Sequence, residues 1–230
     1  MPEMRIAGEP EITVHLKRST RAQRMSLRVS RLNGRVTLTL PNWAPETEAR
    51  LFATQRADWI RGHLREQPDV VVPQMEGLIS VEGKDRRIVQ GTARRVTLSD
   101  DQIAVPGPVD RVPARLQGFL KALARERLAA ASDQYCAVLG LRYHKLTLRD
   151  TRSRWGSCSS EGNLMYSWRL IMAPVEVLQY VAAHEVAHLR EMNHAPEFWS
   201  VVEKLYPAYK RPRHWLREHG HHLHRYRFGD

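Results

Sequence analysis

Two histidines four residues apart, with a glutamate directly after the first, form the pattern in this sequence that is most able to do chemistry. They are His184 and His188 with Glu185, an HExxH motif. Residues four apart lie on one face of a helix, so both imidazoles could hold one metal ion. Glu185 would then lie beside a metal-activated water and serve as its general base. The motif therefore predicts a zinc site that performs hydrolysis.

A third metal ligand is expected just after the motif. His194 follows His188 by six residues, and three protein ligands leave the fourth position of a tetrahedral zinc ion open for water. Asn193 tolerates the left-handed conformation, so the chain could turn there and bring His194 back to the metal. A carboxylate further along, Glu197 or Glu203, is the alternative ligand. His194 is favoured because it follows a residue that can form a turn.

The helix that carries the motif is indicated by residues outside the motif. Pro174 stands where a first helical residue is expected, and a helix over about 174–191 is predicted after it. Apolar residues recur there at helical spacing, and they would bury one side of the helix. They are Val177, Leu178, Val181, Ala182 and Leu189. A second helix, from Pro196 to Tyr206, is predicted to follow.

The segment before the motif is predicted to supply a long helix and a substrate-binding edge. An amphipathic helix over about 113–138 is expected to end before Gly140. A strand at 146–148 follows, and an extended peptide could pair with the edge of either 152–158 or 164–172. The partner for the oxyanion stays open among four side chains, for each of which packing is the alternative role. They are Arg154, Tyr166, Tyr206 and His214.

The first half of the chain has the alternating pattern of strands. Residues 12–41 predict an antiparallel meander with a hairpin turn at Asn33 and Gly34, and one helix should run from Pro45 to just before Pro68. Short strands are predicted between 78 and 105, and the Pro106–Pro108 segment marks a boundary. We therefore expect an α+β protein, with a β-rich N-terminal module over 1–108 and a second domain over 109–230.

Composition limits the classes of protein to consider. The formal net charge of +11 would attract polyanions, but the arginines are dispersed and no nucleic-acid-binding motif accompanies them, so only weak nucleic-acid binding is expected. Cys136 and Cys158 form no CxxC pair. No apolar run could span a membrane and no signal peptide is recognisable, so a cytoplasmic location is expected. The oligomeric state cannot be predicted.

Several motifs in the second half, taken in order, carry a resemblance to a known family. They are Arg154–Ser159, Trp168–Leu170, Tyr180–Leu189, Asn193–His194 and Phe198–Trp199. In these segments the chain resembles the YgjP-like zinc metallopeptidases, which are related to SprT-like and WLM proteases. The resemblance implies a zincin-type catalytic domain over 109–230 with zinc on His184, His188 and His194. It also implies Glu185 as the catalytic acid and base.

The residues and the resemblance lead to one preferred function and two alternatives. The preferred one is a zinc-dependent metallopeptidase that hydrolyses peptide bonds of a peptide or protein substrate. The first alternative is a SprT-like protease that acts on DNA-associated proteins, with the basic charge responsible for recruitment. The second is a non-catalytic, zinc-stabilised nucleic-acid-binding protein, which the presence of Glu185 argues against. Four histidines between His219 and His224 are expected to be solvated or to border the substrate.

Overall fold

The computed structural model describes residues 2–30, 33–65 and 69–229, and it has the α+β architecture predicted from the sequence. The chain forms two compact units, Met1–Asp69 and Val70–Asp230. Each unit has its own cluster of buried apolar side chains. The boundary predicted at Pro108 therefore falls inside the second unit.

The first unit contains a four-stranded sheet in the order β1-β2-β4-β3. The strand β2 runs parallel to β4, so the predicted antiparallel meander is wrong. The predicted hairpin does form, because β3 pairs antiparallel with β4 across the loop that contains Gly34, whose φ is +67°. Alternation fixes which face of each strand is buried but does not identify its neighbour. The strands are Glu3–Ile6, Ile12–Ser19, Ser26–Val29 and Val36–Pro41, β1 to β4.

Two short helices follow this sheet where a single helix is predicted. They are α1, Glu46–Thr54, and α2, Ala57–Arg65. Leu51 and Trp59, two of the large apolar residues of this segment, are 60% and 45% exposed. Small residues form much of the buried side instead, so the apolar pattern of the larger side chains is a poor guide to this helical face. The predicted end of the helix at Pro68 lies outside the described residues.

The second unit begins with a sheet of the same topology, in the order β5-β6-β8-β7, with the two central strands parallel and both outer pairs antiparallel. These four strands confirm the short strands predicted between 78 and 105. Their buried side chains belong to the same core as the helices that follow. The strands are Leu78–Val81, Lys84–Gly91, Thr97–Leu98 and Gln102–Pro106, β5 to β8.

The long helix α3, Val112–Leu139, spans the core of the second unit and ends at Gly140, whose φ of +66° fits the predicted glycine cap. A three-stranded sheet in the order β10-β11-β9 follows it. The strand predicted over 164–172 ends at Ser167, and a buried 3-10 helix, Trp168–Met172, replaces its second half. The three strands are Lys145–Arg149, Gly156–Cys158 and Asn163–Ser167, β9 to β11.

Three helices and a 3-10 turn complete the second unit. The motif helix is shorter than predicted and ends at Ala187, whereas the helix predicted from Pro196 agrees with the structure to within one residue. No helix in the described part of the chain is long and apolar enough to cross a membrane. The elements are Val175–Ala187, Pro196–Leu205 and Lys210–His219, α4 to α6, and the 3-10 helix Gly220–His224.

Candidate metal centre

The helix α4 holds the first two histidines of the motif side by side. It packs against α3, and almost all of its apolar residues are buried. Buried packing on this scale fixes the rotation of the helix, so the positions of the histidines do not depend on a ligand. His184 lies in the last turn and is half-buried, and His188 caps the helix and is 8% exposed.

The chain then turns and brings His194 back to these two imidazoles. The turn does not use the left-handed conformation predicted for Asn193, because Glu76 and Glu82 are the non-glycine residues with positive φ in the described part of the chain. Instead, the Asn193 side-chain oxygen accepts a hydrogen bond of 3.2 Å from the amide of Ala195. The short polar side chain of Asn193 thus takes the place of a backbone carbonyl as the hydrogen-bond acceptor in this turn.

The three imidazoles converge on one point. Their potential ligand atoms all lie within 4.8 Å of one another, and Nε2 of His184 is 3.1 Å from Nε2 of His194. Two nitrogens bound to one tetrahedral zinc at 2.0–2.1 Å would lie about 3.3 Å apart, close to this separation. Nδ1 of His188 donates to the carbonyl oxygen of Glu191 at 2.9 Å, which leaves its Nε2 lone pair for a metal. The residues present therefore fit a metal ion.

Burial disfavours the charged forms of His184 and His188. It lowers the pKa of His184 to about 3, and the neighbouring His188 and His194 lower it further in the same direction. Burial also lowers the pKa of His188. Because only the neutral imidazole offers a lone pair, both side chains are ready to bind a metal at neutral pH.

Glu185 lies beside the histidines and is 5% exposed. Burial raises the pKa of its carboxyl to about 8, and the charge of Arg154 opposes the shift. A carboxyl with a pKa near neutrality can both accept and release a proton under physiological conditions. The carboxylate packs against the backbone of Gly156, where a methyl group would overlap it.

The third sheet offers one edge next to this carboxyl. Among the described strands, β10 pairs only with β11, whereas β11 pairs on both sides. Of the two segments predicted to bind a peptide, 164–172 is therefore already paired, and 152–158 contains the free edge. Gly156 begins β10, so this edge starts at the Glu185 carboxylate.

A family comparison accounts for this arrangement. The model of the YgjP-like metallopeptidase domain matches residues 23–219, most of the chain. The chain belongs to the YgjP-like family. No curated protein matches it. One solved structure with some similarity is the metallopeptidase zymogen abylysin from Pyrococcus abyssi, with 20% sequence identity and a TM-score of 0.37. The similarity covers 40% of this chain and 95% of that one.

Within this YgjP-like domain, the two carboxylates considered as alternative ligands are exposed. Glu197 and Glu203 do not belong to the group of potential ligands, which in the described residues consists of the three histidines. Of the four oxyanion candidates, Tyr166 is buried and its hydroxyl bonds to Ser132 at 3.0 Å, so it has a structural role. Arg154 is exposed, and its charge reaches Glu185.

Two features of the site were not predicted from the sequence. One is the aromatic wall formed by Tyr180, Phe198 and Trp199, and the other is the contact of Gly156 with Glu185. The ring of Phe198 is fully buried and lies 4.4–4.9 Å, between centroids, from all three histidine rings. Tyr180 and Trp199 also approach His184, each at 5.9 Å. Phe198 lies in α5, whereas His194 lies before this helix, so helical spacing in the sequence could not place the ring beside the three histidines.

Proposed function

We propose that this metallopeptidase is zinc-dependent, with the metal held by His184, His188 and His194 and with Glu185 as the general base. The observation that carries the proposal is the convergence of three imidazoles beside one buried carboxyl. Three nitrogen ligands suit zinc, whereas magnesium and calcium prefer oxygen ligands. Three ligands, and not four, also leave one position open for chemistry.

A bound zinc ion would supply Lewis acidity, which acidifies water and polarises a peptide carbonyl. Glu185 would take a proton from the attacking water at its carboxylate and then deliver it to the amine of the leaving group. The packing against Gly156 limits the positions open to the carboxylate, so little reorganisation would be needed during the reaction. The aromatic wall around the histidines would keep bulk water from their far side.

The substrate would bind as an extended strand along the free edge of β10. Backbone pairing holds a polypeptide without requiring particular side chains, so it suits a protease that acts on many sequences. A peptide bound there would pass directly over Glu185, because β10 begins at Gly156. Arg154, just before the strand, is the best-placed side chain to stabilise a developing oxyanion.

Metal analysis tests the ligand assignment. The purified protein should contain about one zinc per chain, and His184→Ala or His188→Ala should remove most of it, because losing one of three ligands leaves the site incomplete. Inductively coupled plasma mass spectrometry of the dialysed proteins would measure this. An exposed histidine such as His214, changed to alanine, is the control and should leave the zinc content unchanged. Full occupancy in both ligand variants would refute the assignment.

A further inference from the structure

The face of the third sheet that points away from the core forms an open groove of about 970 Å³. We call it the β9–β11 groove. Its floor follows from strand alternation: Thr147 pairs with Met165, and Met165 pairs with Ser157, so these three side chains share one face. The opposite face carries Leu164 and Tyr166, which are fully buried in the core. The groove is therefore the solvent side of the sheet.

The charge in this groove is mostly positive. Lys145 and Arg149 lie two residues to either side of Thr147 on the same face, about 13 Å apart at the rise of a strand. Arg154 lines the groove at the loop before β10. All three are exposed, and none has a carboxylate within 4 Å in the ion pairs found among residues 2–30, 33–65 and 69–229.

Apart from Cys158, Leu164 and Met165, the rest of the lining is polar, and it suits an anionic ligand. The acidic residue of the lining is Glu161, and its carboxylate accepts a hydrogen bond of 3.1 Å from the Asn163 side chain. Hydroxyl groups of Ser153, Ser157 and Ser160 line the same space. The Thr147 and Thr151 hydroxyls also line it, but they donate to backbone carbonyl oxygens. Hydroxyls can donate to an anion, so the groove offers hydrogen bonds as well as positive charge to a carboxylate.

The groove adjoins the proposed active site. Ser157 and Cys158 line it and belong to β10, and the residue before them, Gly156, touches Glu185. Burial and the nearby Glu185 raise the pKa of the Cys158 thiol to about 11, so this thiol adds no negative charge to the groove. Lys145 and Arg149 lie on β9, which is two strands and about 10 Å from β10. A chain that pairs with the edge of β10 would reach them with long acidic side chains, or where it leaves that edge and crosses the face of the sheet.

We propose that the β9–β11 groove binds acidic side chains of the substrate, so that the enzyme prefers polypeptides with aspartate or glutamate near the cleaved bond. This inference rests on the proposed function, because it assumes that a polypeptide lies along β10. A peptide is favoured over nucleic acid by the position of the groove in a metallopeptidase domain next to Glu185. In addition, the described lining residues include no phenylalanine, tyrosine or tryptophan ring on which a base could stack.

The test is a binding measurement on the full-length Glu185→Gln protein, which should not consume the probe. The probe is a fluorescein-labelled peptide of alternating glutamate and glycine, and its partner has glutamine in place of glutamate. A Lys145→Gln/Arg149→Gln variant removes two charges from the groove. An Arg94→Gln/Arg95→Gln variant removes two exposed charges outside its lining and serves as the matched control. Fluorescence anisotropy gives the dissociation constants.

The acidic peptide should bind more tightly than the neutral one. Because one exposed ion pair changes an equilibrium constant by about two- to fivefold, the groove variant should weaken acidic binding by about tenfold. The control should change it by less than about twofold. The difference between the peptides should largely disappear near 1 M salt, where the screening length falls to about 3 Å.

Three results would overturn the inference. The first is an equal loss of affinity for the acidic peptide in the groove variant and in the control, which would mean that only net charge matters. The second is no preference for the acidic peptide over the neutral one. The third is that a duplex DNA probe binds more weakly to the Lys145→Gln/Arg149→Gln variant, while the affinity of the acidic peptide for that variant is unchanged. Casein hydrolysis by the Glu185-containing protein is measured in parallel, so failure of this inference can be told apart from failure of the proposed peptidase activity.

Discussion

At the scale of single residues, the second nitrogen of each imidazole determines how firmly the ring is held. Nδ1 of His188 bonds to the carbonyl of Glu191, whereas Nδ1 of His184 is buried with no hydrogen-bond partner among the described residues. His194 is exposed, and a turn rather than a helix positions it. Of the three proposed ligands, the His188 ring is therefore held by a hydrogen bond, whereas the position of the His194 ring depends on a short loop.

We expect His194→Ala to weaken zinc binding strongly, because it removes a direct ligand from a three-ligand site. Glu203→Ala and Glu197→Ala should leave the affinity unchanged, because both carboxylates are exposed and lie outside the ligand group found in the described residues. Competition with a chromophoric chelator would measure the affinities. The opposite pattern, with Glu203 required and His194 dispensable, would show that a carboxylate is the third ligand.

The proximity of His184 and His188 could be predicted from the sequence because helical geometry is local. His184 and His188 are four apart, and a buried apolar helix makes that spacing a contact. The turn at Asn193 could be placed but its conformation was predicted wrongly, because asparagine can form a turn through its side chain as well as through a left-handed backbone. Gly156 could not be identified, because its contact with Glu185 joins segments that are distant in sequence.

At the scale of elements, β10 connects the sheet to the proposed chemistry. It is only three residues long and has one partner strand among those described, so its free edge is short and lies at Glu185. The glycine at its start lets the backbone approach the carboxylate closely. A side chain at this position would therefore displace Glu185, the proposed general base, rather than the proposed metal ligands.

Changing Gly156 to alanine should lower peptide hydrolysis by about 100-fold, because the added methyl overlaps the Glu185 carboxylate and displaces it. Zinc content should stay near that of the wild type. The matched control is Gly118→Ala in α3, where an added methyl meets no atom within 4 Å and should stabilise the helix by about 0.5–1 kcal/mol. The hydrolysis rates and zinc contents of the two variants test this prediction. Hydrolysis by Gly156→Ala at the wild-type rate would refute a positioning role for Gly156.

The strands could be predicted from the sequence, but their pairing could not. Alternation in 12–41 and between 78 and 105 indicates strands, because side chains on one face of a strand recur every second residue. The pairing of β2 with β4 is parallel and non-sequential, and nothing in a periodic pattern specifies a partner. The shared topology of the two four-stranded sheets is likewise visible in the structure without any repeat in the sequence.

Within the larger unit, the C-terminal segment is tied to the strand beside Glu185. Arg169 forms two bonds to Asp150, of 2.6 and 3.0 Å, and also donates to the carbonyl oxygens of Leu223 and Tyr226. His224 packs on Trp155, the residue before β10, with 5.1 Å between ring centroids. The histidine-rich end is thus partly buried, so the expectation of a solvated segment is wrong. The alternative expectation, that it borders the substrate, stays a prediction.

This packing predicts sensitivity to acid. Burial, with Arg169 next in effect, lowers the pKa of His224 to about 4 from an ordinary value near 6.5. Between these values the unfolded chain binds a proton that the folded chain does not, so stability is lost as the pH falls from about 6.5 to 4. For this partly exposed group we expect a loss of about 2 kcal/mol.

His224→Gln should therefore reduce the fall in stability over that pH range, and the exposed His214→Gln control should not. Urea unfolding followed by circular dichroism at a series of pH values would measure the free energy of unfolding. Identical pH profiles for wild type and His224→Gln would contradict the link between this histidine and acid stability.

For the molecule as a whole, we propose a zinc peptidase in which Glu185 acts on the reaction and not on metal binding. The most direct test compares zinc content and casein hydrolysis in the wild type and Glu185→Gln, with metal-free His184→Ala as the background. Glutamine keeps the size of the side chain but cannot serve as a base, so Glu185→Gln should hold about one zinc per chain and hydrolyse casein about 10²–10⁴-fold more slowly. Hydrolysis by Glu185→Gln at the wild-type rate would contradict the account.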